Sequence, residues 1–436
     1  MRIAVLGAGS TVFAKNILGD CIITPELGSF EIALFDIDNT RLKESYAMLV
    51  NINKKYHGKA TINTYTDRKE CLRGADFVIN CIQVGGYIPC TKNDFDVPNR
   101  FGLRQTIGDT LGVGGIFRAM RTLPVLEEFA RDIEEVCPNA LFLNYVNPMA
   151  ILTGYMQRYT NVKTIGLCHS VQVCVPHLLE KLGMQEEGVD AKYKIFGINH
   201  QAWLLEILDK QGKDLYPEIK RRALLPEYAE NVKDDLVRLE IMRRFGYYVT
   251  ESSEHTAEYL PYFIKRDYPE LIDRYHIPLD EYPRRCVEQI AEWERRRDSL
   301  VANIDIEHVR SREYGSGIIR AVATDTPYTI HGNVINDGWI DNLPKEACVE
   351  VPCIVDGKGI TPQKMGALPV QLAALNRTNI NVQLMTIEAY RTKKKEDLYT
   401  AAYLDPHTQS ELSMDEIRAV CDALIEAHGN WLPAFH

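Results

Sequence analysis

The chain has 436 residues, 45% of them hydrophobic and 25% charged, with a formal net charge of −10. That is the composition of a folded globular protein long enough for two or three domains of about 150 residues, and its negative balance argues against nucleic acid and anionic membrane as partners. The eleven cysteines are odd in number and fit neither a disulfide framework nor a zinc finger, so the chain reads as reduced and cytoplasmic; the apolar start "IAVLGAG" is too short and glycine-broken for a signal peptide, and no stretch reaches the roughly twenty apolar residues of a membrane span.

"RIAVL" (2–6) reads as a buried parallel strand, followed by the turn Gly7-Ala8-Gly9-Ser10 and a helix to about residue 20. "EIALFDID" (31–38) is a second strand ending in acid, and "TRLKESYAMLVNINKKY" (40–56) has helical periodicity. "ATINTY" and "ADFVINCIQVGG" read as further strands, "VGGIFRAMRTLPVLEEFARDIEEVC" as a long helix kinked at Pro124, and "VKTIGLCHS" as a strand ending at a thiol. Strands alternating with helices predict a Rossmann-like, doubly wound parallel sheet. From about residue 190 the pattern changes. "YKIFGINHQAWLLEILDKQGKDL" alternates like paired strands with a turn near Gly212. Helices are expected over 231–245 and 281–303, antiparallel strands in "YTIHGNVINDGWIDNLPKEACVEVPCIVDGKG", and a long helix in "LPVQLAALNRTNINVQLMTIEAYRTKK". The expected division is a cofactor-binding unit over 1–195 and an interwoven α+β substrate and oligomerisation unit over 196–436.

The turn "GAGSTV" carries two glycines of G-x-G-x-x-G, with Val12 in the third place. Gly7 allows the tight turn, Gly9 allows close approach of a pyrophosphate, and Ser10 opens the helix on which it would rest. Asp36 ends the second strand, where an acid can bind ribose hydroxyls, so NAD is favoured over NADP. Cys168 and His200 each follow an apolar run and offer a thiolate and an imidazole to a divalent metal; a buried thiol and a metal-free imidazole are the alternative reading. "NYVNPMA" supplies Asn144 and Asn147 at another strand end, as polar contacts or as helix caps. Asp109 lies in the glycine-rich loop "QTIGDTLGVGG". "TESSEHTAEYLPYF" crowds acids, His255 and tyrosines, and "EYPRRC" offers Arg284 and Arg285.

The ordered series "GAGST", "FDID", "QVGGY", "DTLGVGG", "NYVNPMA", "GLCHSVQ", "GINH", "TESSEH" and "AHGNWLP" resembles glycoside hydrolase family 4, the NAD- and metal-dependent glycosidases, over nearly the whole chain. The residues after Cys168, "HSVQ", resemble the branch acting on non-phosphorylated α-glycosides, and "KNILGD", "GGIFRAMRT" and "LDEYPRRCVEQ" its α-galactoside (melibiose) members. The resemblance implies oxidation of the sugar at C3 by NAD, deprotonation at C2, elimination of the aglycone, water addition and re-reduction, with Mn²⁺ steadying charge at the C2 and C3 oxygens. It implies Cys168 and His200 as metal ligands and Tyr259 as the base, with Tyr262 the alternative. Asp109 would assist the base, and His169 stands where the family carries an Asp general acid. Gly7, Gly9, Ser10, Asp36 and Asn144 would contact the cofactor, and Asn147 and Arg285 the sugar. It further implies a homodimer or homotetramer. Other readings remain: an α-glucoside or α-galacturonide substrate, a hydroxy-acid dehydrogenase that releases NADH, and an NAD-dependent sensor without turnover.

Overall fold

Arg2–Leu6 (β1) is apolar along its length because it lies in the middle of a sheet covered on both faces: Ile3 to Leu6 are all at most 1% exposed. The computed structural model describes residues 1–303 and 305–436. Parallel neighbours flank β1 on both sides. On one side are β2 (Phe30–Phe35) and then β3 (Ala60–Tyr65); on the other are β4 (Phe77–Asn80), β5 (Leu141–Asn144) and β6 (Lys163–Leu167). The order 3-2-1-4-5-6 is that of a doubly wound dinucleotide fold, with its switch point between β1 and β4. The expected fold class is therefore present.

Beyond β6 the sheet continues and changes direction. The added strands are β7 (Lys192–Ile198), β8 (Gln201–Leu208), β9 (Tyr248–Val249), β10 (Tyr328–Ile335), β11 (Cys348–Asp356) and β12 (Gly359–Pro362). They extend the row from β6 as β10-β11-β7-β8-β9, all antiparallel, with β12 against β11. A single twelve-stranded sheet thus runs through both halves of the chain.

One local expectation fails. β7 and β8 are joined at Asn199–His200, not near Gly212, where the chain makes the next turn, from β8 to a bridge between Leu208 and Asp214. The tight turn is made by His200 itself, at φ 63, without a glycine to announce it. The consequence is functional: His200 is held at a strand end, next to the end of β6.

Two helical elements frame that region. The helix Gly112–Val136 contains Pro124 and follows the loop bearing Asp109. The strap after the helix Glu281–Val301 is pinned to the first helix, Thr11–Ile22: His308 Nε2 lies 2.7 Å from Asp20 Oδ1, and Ser311 Oγ donates to Asp20 Oδ2 at 2.6 Å. A buried carboxylate with both oxygens engaged makes that anchor rigid, and it delivers Glu313 to the mouth of the site.

Candidate active site

The turn after β1 is shaped by close approaches. Gly7 has φ +86, and a Cβ there would come 2.8 Å from the Ile82 nitrogen, so only glycine fits. Gly9 N–H donates to Asp36 Oδ2 at 2.7 Å, and Asp36 Oδ1 accepts from Asp38 N–H at 2.8 Å. A Cβ at Gly9 would stand 2.8 Å from Asp36 Oδ2. The acid at the end of β2 is thus fixed to the turn, with lone pairs left on each oxygen. Ser10 caps the first helix without a side-chain bond, so the amides of the first helical turn have no side-chain cap. This cradle fits a dinucleotide phosphate and its ribose. Asn144 is fully buried: its amide accepts from Asn80 Nδ2 at 2.9 Å and donates to Val146 O at 3.3 Å and Thr153 Oγ1 at 3.2 Å.

Cys168 follows β6 and His200 follows β7, and the sheet brings them together. Cys168 Sγ lies 3.4 Å from His200 Nε2. Glu251 completes the group, its Oε2 3.5 Å from His200 Nε2 and 4.0 Å from Cys168 Sγ. One ligand atom from each of the three lies within 4.8 Å of the other two. Glu251 stands at φ 66, and its carbonyl is held by the buried Arg238 guanidinium. Burial opposes ionisation of Glu251, yet His200, His255 and His169 hold its carboxyl down to about 2. Burial, with Glu251 next, pushes the Cys168 thiol well up. A soft sulfur, an imidazole and a carboxylate converging on one point fit a divalent cation with open positions, whose charge would favour the thiolate. Beneath them, on β11, Glu350 is pushed up to about 8 by burial.

The proton-transfer candidates surround this cluster. Tyr259 ends the short helix Ser253–Tyr259, is 2% exposed, and its ring centroid lies 6.3 Å from that of His200. Burial raises its phenol well above the ordinary value; the neighbouring Thr110 side chain works the other way and Asp109 adds to the rise. Tyr262 is 48% exposed and stacks on Phe245. Asp109 Oδ2 accepts from Asn147 Nδ2 at 3.0 Å, while its buried Oδ1 has no partner. An unpaired buried acceptor beside the cluster is suited to a ligand hydroxyl. Arg118 steadies this corner by donating to the Asn147 carbonyl at 3.2 Å and to Tyr282 OH at 3.1 Å.

His169 is exposed, caps the helix Ser170–Lys181, and has Nδ1 3.8 Å from Glu313 Oε1. Arg285 stands farther out. Its Nε lies 2.6 Å from Glu281 Oε1 and its Nη2 2.6 Å from Glu254 Oε1, on the wall of a cleft of about 680 Å³ that also includes Glu251, Ser252 and His276. Sequence reasoning quoted the segment of Glu251 without choosing it, and passed over Glu313 and Thr110.

Comparison with known proteins identifies the family. A family model described as "Family 4 glycosyl hydrolase" matches residues 2–184, and one for its C-terminal domain matches residues 195–408. An alpha-galactosidase of Bacillus subtilis is 61% identical over 434 residues, covering 100% of this chain and 99% of its own. An alpha-galactosidase of Rhizobium meliloti is 35% identical, over 100% of this chain and 89% of its own. The 6-phospho-beta glucosidase of Thermotoga maritima, solved with manganese, NAD⁺ and glucose-6-phosphate, has the same fold at TM-score 0.80 and 21% identity, over all of both chains.

Proposed function

The chain belongs to family 4 of the glycosyl hydrolases, and on that premise we propose that it is an α-galactosidase using NAD and a divalent cation, Mn²⁺, to cleave terminal non-phosphorylated α-galactosides such as melibiose. The observation that carries the reading is the convergence of Cys168, His200 and Glu251 beside Tyr259 and Asp109, in a chain sharing 61% identity with an alpha-galactosidase.

Gly7, Gly9, Ser10 and Asp36 hold the dinucleotide in this reading; Asn144 supports that wall from within by tying β4 to the loop at Val146. Cys168, His200 and Glu251 hold the cation. Bound there, the two groups supply reversible oxidation at the sugar's C3 and polarisation of the C2 and C3 oxygens. Tyr259 removes the C2 proton as a phenolate, a state that burial, Asp109 and Glu251 oppose and that Thr110 and a cation held by Cys168, His200 and Glu251 would favour. Asp109 orients a hydroxyl through its free oxygen and, with Asn147, fixes the sugar beside the base. His169 protonates the departing glycosidic oxygen, and Glu313, 3.8 Å from its Nδ1, keeps its imidazole turned. Arg285 meets the outer hydroxyls from the cleft wall. Residues 1–195 carry the cofactor together with Asp109, Asn147, Cys168 and His169, and 196–436 the rest of the sugar site and the subunit contacts. An assembly of two or four copies is supported by the helix Glu281–Val301, which leaves Val287 and Ile290 exposed. The eleven free thiols support a reducing cytoplasm.

The test is release of nitrophenol from aryl α-galactoside, α-glucoside and α-galacturonide, with thiol reductant, with and without NAD⁺ and Mn²⁺. Rapid cleavage of the galactoside alone, requiring both additions, is expected. Preference for another sugar overturns the substrate assignment, and steady NADH formation from a hydroxy acid overturns the glycosidase.

A further inference from the structure

Below the candidate metal ligands the sheet carries a row of residues for which the reaction has no direct use. Glu350 on β11 is in register with Gly197 on β7 and with Asn333 on β10, and Asn333 is in register with Gly166 on β6. The row crosses four strands. Cys168 stands two residues beyond one end of it, and His200 three residues beyond the other. It therefore forms the floor on which both ligands sit.

The floor is polar in a place where apolar residues would be expected. Asn333 and Glu350 are both 0% exposed. A Cβ on Gly166 would come 2.9 Å from the Asn333 Cβ; with glycine there, Asn333 Nδ2 reaches the Gly166 carbonyl at 3.3 Å and Glu350 Oε1 at 3.4 Å. One oxygen of Glu350 is thus held in place. The other, Oε2, is buried without a partner.

His200 shows the complementary defect. Its Nε2 faces the cluster, 3.4 Å from Cys168 Sγ and 3.5 Å from Glu251 Oε2. Its Nδ1 points away from that group, is buried, and also lacks a partner. An imidazole that ligates through Nε2 carries its proton on Nδ1, and that proton needs an acceptor. Leaving such a donor or a carboxylate oxygen unpaired in the interior costs about 1–3 kcal/mol each. The two atoms are not in direct contact, and a water bridging them would satisfy both.

We propose that Glu350 is a positioning residue of the metal centre, accepting the Nδ1–H of His200 at its free oxygen through one buried water. It fixes which ring nitrogen faces the cation and holds the ring against rotation, while Asn333 holds Glu350. The inference rests on the reading of Cys168, His200 and Glu251 as the metal site.

The test is Mn²⁺ binding by the full-length protein, followed by the electron paramagnetic resonance of free Mn²⁺, with NAD⁺ binding measured in parallel. Glu350→Gln is expected to raise the Mn²⁺ Kd about 10- to 100-fold, with the NAD⁺ Kd within about twofold; Glu350→Asp is expected to recover part of the loss. A folded Glu350→Gln protein that binds Mn²⁺ like wild type overturns the inference, and a wild-type protein that binds no Mn²⁺ overturns the metal site itself. If Glu350→Gln does not fold, wild-type protein labelled with ¹⁵N in its histidines and loaded with Zn²⁺ decides. An exchange-protected Nδ1–H, absent from His200→Asn, supports the inference, and its absence overturns it.

Discussion

Gly9→Ala separates the cofactor site from everything else in the molecule. Gly9 does not have positive φ, so the substitution brings no left-handed backbone strain; its cost is contact. The new Cβ would lie 2.8 Å from Asp36 Oδ2 and 2.9 Å from Arg41 Cβ. Arg41 Cβ belongs to the helix Asn39–Lys55 and cannot retreat alone, so Asp36 must swing out. That breaks the 2.7 Å bond from Gly9 N–H. A hydrogen bond to a charged group is worth about 1.5–3 kcal/mol, and crowding at a packed position costs about 1–3 kcal/mol more. Partial relaxation brings the expected loss of stability to about 2–4 kcal/mol. Removing the carboxylate from the ribose should also weaken NAD⁺ about 10- to 100-fold, equivalent to about 1.4–2.8 kcal/mol. Calorimetric titration with NAD⁺ and with Mn²⁺, beside a thermal melt, reads both effects. Weakened NAD⁺ with unchanged Mn²⁺ binding and a lower Tm is the expected result. A Gly9→Ala protein with wild-type NAD⁺ affinity would refute Asp36 as the ribose acid, and an unchanged Tm would refute the crowding.

Cys168→Ser should raise the Mn²⁺ Kd at least tenfold while NAD⁺ affinity holds, because the ligand set loses its only thiolate; equal Mn²⁺ affinity in a titration removes Cys168 from the site. Tyr259→Phe should lower kcat about 10²–10⁴-fold with both cofactors still bound, the range of a lost acid–base group; near-normal turnover would point to another base. His331 sets a pH dependence of stability. Burial lowers its pKa from 6.5 to about 4, so as pH falls the unfolded chain takes up the proton first. Stability should decline from about pH 6.5 towards about 4. The full shift would be worth about 3.4 kcal/mol. Partial exposure of the residue trims this to about 1–2 kcal/mol. His331→Gln should flatten the difference between urea midpoints at neutral and mildly acid pH by that amount; an unchanged difference sinks the assignment.

The parts of this site that were legible in the sequence are those set by local backbone geometry. Gly7 and Gly9 with Asp36 announce themselves because a strand, a tight turn and a helix lie next to one another in the chain. Cys168 and His200 were legible as ligand types at strand ends, but their 3.4 Å approach lies beyond the ends of β6 and β7, across β10 and β11, and is set by long-range sheet pairing. Glu251 was hidden among several acids of one segment; it is singled out by a two-residue strand and the Arg238 contact to its carbonyl. The turn at His200 was missed because Asn-His carries no glycine signal. Glu350 did leave a trace: it is an acid between Val349 and Val351 in a strand that is otherwise apolar up to its last residue, Asp356. Alternation alone cannot say that such an acid faces inward. Asn144 shows the converse. A strand-end amide reads as free in sequence, whereas packing against Asn80, Val146 and Thr153 uses it.

The most direct test of the account is hydrolysis of melibiose in D₂O with NAD⁺ and Mn²⁺, followed by mass and NMR analysis of the released galactose. Deprotonation by Tyr259 and later reprotonation predict deuterium at C2, with no cleavage when NAD⁺ is withheld. Galactose carrying only hydrogen at C2, released equally well without NAD⁺, would contradict it.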